Sequence, residues 1–250
     1  MRWPAAAFPA AAGSARLHRN MPHARSMALT AAHVARVRRE MPEEGPPPGT
    51  LLFDDTDYRA LRDRLLERWT PGEDLLVFAY GSLIWKPGCA IAAQEPATLV
   101  GWHRKFCFRI VRYRGCEQRP GLMMTLDRGG TCKGVVQRLP AASAPDCLEQ
   151  VLRREHSYKP SSHKPIWVNV KLDGRRVPAI TFVIERGAAT YEPDLTPEEQ
   201  AERIAFACGH RGPCAEYLLN TVEHLEALGI HDPYLWQLQA LVADKIAGRS

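Results

Sequence analysis

Residues 75 to 80 form an unbroken apolar run, Leu75-Leu76-Val77-Phe78-Ala79-Tyr80, opened by Pro71-Gly72 and stopped by Gly81-Ser82. A short continuous run between turn signals reads as a buried strand ending in a tight turn. Around that strand the pattern is mixed. Asp54 to Trp69 has helical periodicity, with aspartates at its start and Tyr58, Leu61, Leu65 and Trp69 on one face. After the strand, Phe106, Phe108 and Ile110 alternate with Cys107 and Arg109. Leu122 to Leu126 is expected to turn at Asp127-Arg128-Gly129-Gly130 into Lys133 to Leu139. Ile166 to Leu172 alternates cleanly, and Asp173-Gly174 supplies a two-residue hairpin turn into Val177 to Ile184.

From Thr196-Pro197 onward the period becomes helical. Thr196 is placed to cap, Pro197 to open the first turn, and Glu198-Glu199 to favour its dipole. A second helix follows Gly212-Pro213, turns Leu218, Val222, Leu225 and Leu228 inward, and stops at Gly229. A third spans about Pro233 to Ala247. These patterns predict an α+β fold: a small mixed sheet or barrel with surrounding helices and a C-terminal helical segment.

Charge and cysteines exclude several function classes. The formal charge is +5, but residues 1–39 hold seven arginines and no acid, so the remainder is slightly acidic. That balance gives no case for nucleic-acid binding. No stretch approaches the 18 or so apolar residues of a membrane span. The seven cysteines are odd in number and form no C-x-x-C pair, which fits free thiols in a reducing, cytoplasmic setting. Residues 1–50 read as an extension preceding one domain over 51–250, with Gly45-Pro46-Pro47-Pro48-Gly49 as a stiff linker. Three readings of the extension stand: a disordered tail, an Arg-rich transit peptide, or a start set too far upstream, with the true start at Met27 or another internal methionine. The first and third are preferred.

Two places carry candidate chemistry. The Gly81-Ser82 turn lets backbone approach a ligand, and its N–H groups suit a carboxylate or carbonyl oxygen. The same residues also suit an ordinary strand-to-loop turn. In the helical stretch Pro145 to His156, Glu155 follows Val151 by four and Leu152 by three, on the apolar stripe begun by Leu148. A carboxylate there is either a partly exposed acid paired with a neighbouring arginine or a desolvated acid–base group. Periodicity leaves both open. His103, His156, His163, His210, His224 and His231 lack metal-ligand spacing, and Cys107 and Cys132 sit in strand patterns as core.

Tyr80-Gly81-Ser82-Leu83-Ile84-Trp85 resembles the opening motif of the ChaC-like γ-glutamylcyclotransferases, which cleave glutathione into 5-oxoproline and cysteinylglycine. The likeness continues through Gly101-Trp102-His103-Arg104-Lys105-Phe106, Tyr113-Arg114-Gly115, Arg119-Pro120-Gly121-Leu122 and Arg153-Arg154-Glu155. It resumes with Gly212-Pro213-Cys214-Ala215-Glu216-Tyr217-Leu218-Leu219-Asn220, all in the family's order. The resemblance implies that Glu155 is the general base and then acid, and that Tyr80, Gly81, Ser82 and Leu83 grip the γ-glutamyl group. Arg114 is a candidate carboxylate or peptide-carbonyl contact and Tyr217 a candidate pocket wall; surface charge and helix packing are the alternatives for each.

The implied activity is glutathione degradation by a monomer, with a small-molecule substrate, no nucleic acid or membrane partner, no metal and no cofactor. Alternatives are cyclotransfer from other γ-glutamyl amino acids or amines, or non-catalytic ligand binding on the same fold. A thiol hydrolase is the most distant. The chain departs from the family after Glu155: many members carry a Gly-Tyr pair there, whereas His156 to Pro165 has no glycine. That loop leaves the choice among γ-glutamyl substrates open.

Overall fold

The computed structural model describes residues 26–248. Helix α1 (Ala31–Val37) and the two-residue strand β1 (Leu51–Leu52) precede α2 (Asp55–Leu66). The aspartates start α2 as expected: the Asp54 carboxylate accepts from the Thr56 and Asp57 N–H groups, and Asp57 Oδ2 accepts from the Asp54 N–H. These bonds satisfy donors that a helix start leaves unpaired. Tyr58, Leu61 and Leu65 are its buried face.

The apolar run is β2 (Leu75–Ala79), flanked by antiparallel β4 on one side and parallel β7 on the other. With neighbours along both edges and a barrel interior to fill, nearly every residue of β2 is buried, which explains its lack of alternation. Strands β3 (Ala93–Ile110) and β4 (Gly121–Leu139) run 18 and 19 residues and pair along most of their length. The expected turn at 127–130 is therefore absent, and the chain passes straight through it. Gly129 and Gly130, at φ 102° and 67°, lie in a register shift opposite Gly101, at φ 88°. Glycines that resemble a turn thus form a bulge that bends a continuous ladder.

After β4 come α3 (Ala144–Glu155) and β5 (Tyr158–Lys159), which pairs with β1. Strands β6 (His163–Leu172) and β7 (Arg175–Ile184) form the expected hairpin, with Asp173 and Gly174 at φ 46° and 79° as its turn requires. Five strands close in the order β2-β4-β3-β6-β7, with β4 also pairing β7. Phe78, Phe106, Leu122, Leu126, Ile180 and Phe182 are among the side chains buried by this closure.

The C-terminal layer holds α4 (Pro197–Phe206), the tiny ladder β8 (Cys208–Gly209) and β9 (Gly212–Pro213), α5 (Cys214–Ala227) and α6 (Pro233–Ala247). Thr196 and Glu199 form the capping box of α4, and Gly229 at φ 70° follows α5. Of the expected extension, residues 1–25 lie outside the described residues. Residues 26–50 do not stand apart from the domain. Leu29 and Val34 are buried, α1 packs on α5 and α6, and the Leu29 N–H donates to Gln239 Oε1 at 2.8 Å. The packed body therefore begins upstream of residue 51.

Candidate active site

Four elements converge where β2 ends. The chain leaves the strand at Tyr80, passes Gly81 and makes one 3₁₀ turn at Ser82–Ile84. All four carbonyls of this segment are engaged within the protein. Tyr80 O accepts from Arg104 Nε at 2.7 Å, and Leu83 O from Gln137 Nε2 at 2.7 Å. Gly81 O accepts from the Ile84 N–H at 2.9 Å and Ser82 O from the Lys86 N–H at 3.0 Å. Arg104 and Gln137 are themselves buried, so the turn is gripped from below by β3 and β4.

Gly81 leaves little room for a side chain. A Cβ on it would come within 3.0 Å of both the Tyr217 hydroxyl and Met124 Cε. Its φ of −141° does not call for glycine. Tyr217, near the start of α5, is buried, and its hydroxyl lies close to Gly81 of the turn. Burial raises its phenol pKa, and the Glu155 charge adds to that. Arg114 lies with its guanidinium carbon 6.0 Å from the Tyr217 ring centre, and its Nη1 donates to Pro213 O and Glu216 Oε2, each at 2.8 Å.

Glu155 is the last residue of α3. Its side chain is largely enclosed, with 15% of its surface exposed. Burial raises its pKa above the ordinary glutamate value, and the Arg154 charge opposes that rise only in part. Arg154 joins the two halves of the site, with Nη2 donating to Ser82 Oγ at 2.7 Å and Nε lying 3.3 Å from Glu155 Oε1. Arg153 points away, to Glu149 and Asp55.

The sequence reading passed over His163. It opens β6, is nearly buried, and places Nε2 3.0 Å from the Tyr80 hydroxyl and Nδ1 3.6 Å from Glu155 Oε2. Burial first, and then neighbouring His156, lower its pKa to about 3, so the imidazole is neutral at ordinary pH. Only its place in a non-glycine loop after Glu155 marked it in the sequence. Three of the cysteines do not resemble nucleophiles. Burial pushes Cys107 up to about 12 and Cys132 and Cys214 up to about 11, which keeps them as thiols.

Among solved structures, the yeast γ-glutamyl cyclotransferase specific to glutathione superposes with a TM-score of 0.63 at 21% identity, covering 69% of this chain and 97% of that one. It shares the fold. The family model described as ChaC-like protein matches residues 75–245. The glutathione-specific γ-glutamylcyclotransferase of Escherichia coli K12 is 37% identical over 172 residues, 68% of this chain and 74% of the relative. Its namesake from Schizosaccharomyces pombe is 26% identical over 196 residues, 69% and 94% of the two chains.

Proposed function

The chain belongs to the ChaC-like protein family, and from that premise we propose that it is a γ-glutamylcyclotransferase that degrades glutathione to 5-oxoproline and cysteinylglycine. One observation carries the reading: an enclosed, partly accessible Glu155 of raised pKa faces the 80–83 turn and is linked to it through Arg154.

The chemistry asks little else of the protein. In a γ-glutamyl compound the α-amine and the γ-carbonyl belong to one residue. Attack of that amine on the carbonyl closes a five-membered lactam and expels the remainder as an amine. The nucleophile is in the substrate, so the protein supplies geometry, a proton acceptor and a proton donor. In this reading the N–H groups of the Tyr80-Gly81-Ser82-Leu83 turn hold the γ-glutamyl group and stabilise the developing oxyanion. Tyr217 folds the chain of the substrate against the turn. Arg114, one nitrogen held by Glu216 and Pro213, offers the rest of its guanidinium to a carboxylate. Glu155 takes the ammonium proton before attack and returns it to the leaving nitrogen. A carboxyl with raised pKa suits both roles better than an ordinary one.

Glutathione is the favoured substrate because the Escherichia coli and Schizosaccharomyces pombe relatives are named for it. No described helix is long and apolar enough to cross a membrane, and the seven free cysteines suit a reducing compartment such as the cytoplasm. The decisive experiment is Glu155→Gln, which keeps shape and removes the base. Release of 5-oxoproline from glutathione is expected to fall by about 10²- to 10⁴-fold; a variant that turns over at the wild-type rate overturns the assignment. The wild-type enzyme is also expected to lose activity as pH falls through the raised Glu155 pKa, above the ~4.3 of a free glutamate. Parallel assays with γ-glutamylalanine and γ-glutamyl-ε-lysine separate glutathione specificity from broader cyclotransfer.

A further inference from the structure

Glu155, His163 and Tyr80 lie in a row. Each comes from a different element, and the imidazole stands between a carboxylate and a phenol. Its ring is walled by Phe108 and Phe182, at centroid distances of 6.3 and 5.6 Å. The backbone beneath it is tied to Ser161, whose hydroxyl donates to His163 O at 2.8 Å and accepts from the His163 N–H at 3.3 Å. The ring therefore has little freedom except along the line joining its two nitrogens to their partners.

We propose that His163 is a positioning residue, holding the ionised Glu155 carboxylate in working orientation through an Nδ1–H whose placement is set by the Tyr80 hydroxyl. This rests on Glu155 being the acid–base group. A neutral imidazole carries one proton and can donate at one end only. When the Tyr80 hydroxyl donates into Nε2, the proton sits on Nδ1 and faces Glu155 Oε2. The opposite tautomer would turn a lone pair toward the carboxylate. Arg154 Nε faces the other oxygen, Oε1, so the two oxygens are held from two directions and the carboxylate plane is defined. At 3.6 Å the Nδ1···Oε2 contact is longer than a hydrogen bond; it tightens to one when substrate displaces water from the cleft.

The charged and titratable groups around Glu155 are few. Arg154 and His156 adjoin it in the chain, His163 lies on β6, Tyr80 at the end of β2, and Tyr217 on α5 with Arg114 beyond it. Of these, His163 is the one that presents a neutral donor to Oε2. Removing it leaves Arg154 as the sole directional partner, frees the carboxylate to rotate, and raises the pH at which Glu155 ionises.

Three substitutions test this. His163→Leu removes both polar ends, His163→Asn keeps a donor near the Nδ1 position, and His163→Gln places one near Nε2 instead. With glutathione as substrate, His163→Leu is expected to lower kcat roughly tenfold to hundredfold, as when a partner orienting a functional side chain is lost. KM should change little, and the acid limb of the kcat–pH profile should move upward. His163→Asn is expected to recover most of kcat and return the acid limb; His163→Gln is not. A His163→Leu enzyme with wild-type kcat and acid limb overturns the proposal. If that variant does not fold, the Asn and Gln pair decides, and matching acid limbs for the two overturn it. Silent His163 variants alongside an inactive Glu155→Gln enzyme would remove the positioning role while leaving the acid–base assignment intact.

Discussion

His156 and His163 are neighbours with opposite circumstances. His163 has a partner for Nε2 and a carboxylate before Nδ1, whereas both ring nitrogens of His156 are buried without a hydrogen bond, between Phe53 and Phe182. Burial lowers the His156 pKa to about 4. An unfolded histidine binds its proton near pH 6.5, so between about 6.5 and 4 the unfolded chain holds a proton the folded one refuses. The stability tied to neutral His156 is therefore complete above pH 6.5 and declines as pH falls through that window. His156→Leu removes two unsatisfied buried atoms and the titration together. It is expected to raise stability by about 1–2 kcal/mol at pH 7.5 and to flatten part of the acid decline, His163 supplying the rest. Urea titrations across pH 4 to 8 measure both; identical slopes for variant and wild type would contradict the argument. At this scale Glu155 and the 80–83 turn were legible, because their strings are contiguous and match a family. His163 was not, since its side-chain partner is a tyrosine 83 positions away.

Among the elements, the helices announced themselves through caps. Asp54, Thr196 and the Pro at the start of α4 are local signals, read within four residues of where they act. The β3–β4 ladder shows the opposite case. Gly129-Gly130 looks like a hairpin turn locally, yet it is the partner strand with Gly101 that makes it a bulge. The motif strand is held in the same non-local way. Buried Arg104 donates to Tyr80 O and Lys133 O and pairs with Asp232 at 3.0 Å, joining β2, β3, β4 and the start of α6. Arg104→Leu would leave Asp232 without its cation and the Tyr80 carbonyl without a donor. A loss of roughly 3–5 kcal/mol is expected, the range for breaking a buried pair, along with weaker glutathione turnover because the turn is no longer seated. Thermal melts and steady-state assays measure the two effects; a variant as stable as wild type would contradict the seating role.

In the molecule as a whole, the helical layer includes residues that composition assigns to a tail. Averaged over 1–50, the chain is Ala-, Pro- and Arg-rich, and that average hides Leu29 and Val34. Arg38 pairs with Glu216, the same acid that holds Arg114, so α1 is coupled to the rim of the site. Leu29→Ala is expected to cost about 2–5 kcal/mol, measured by denaturant unfolding; a variant with an unchanged midpoint would show that this segment does not belong to the cooperative unit. By itself, the sequence determined the class of fold, the places where the helices beyond residue 51 begin, the family, and the two motifs proposed to carry the chemistry. Each of these is written in residues close together along the chain. Only the tertiary structure decided that the sheet closes into a barrel, that β4 runs on through an apparent turn, that α1 joins the core, and that Arg154 and His163 flank the Glu155 carboxylate. Those outcomes depend on contacts between segments tens to hundreds of residues apart, and such contacts exist only once closure of the barrel has brought the segments together.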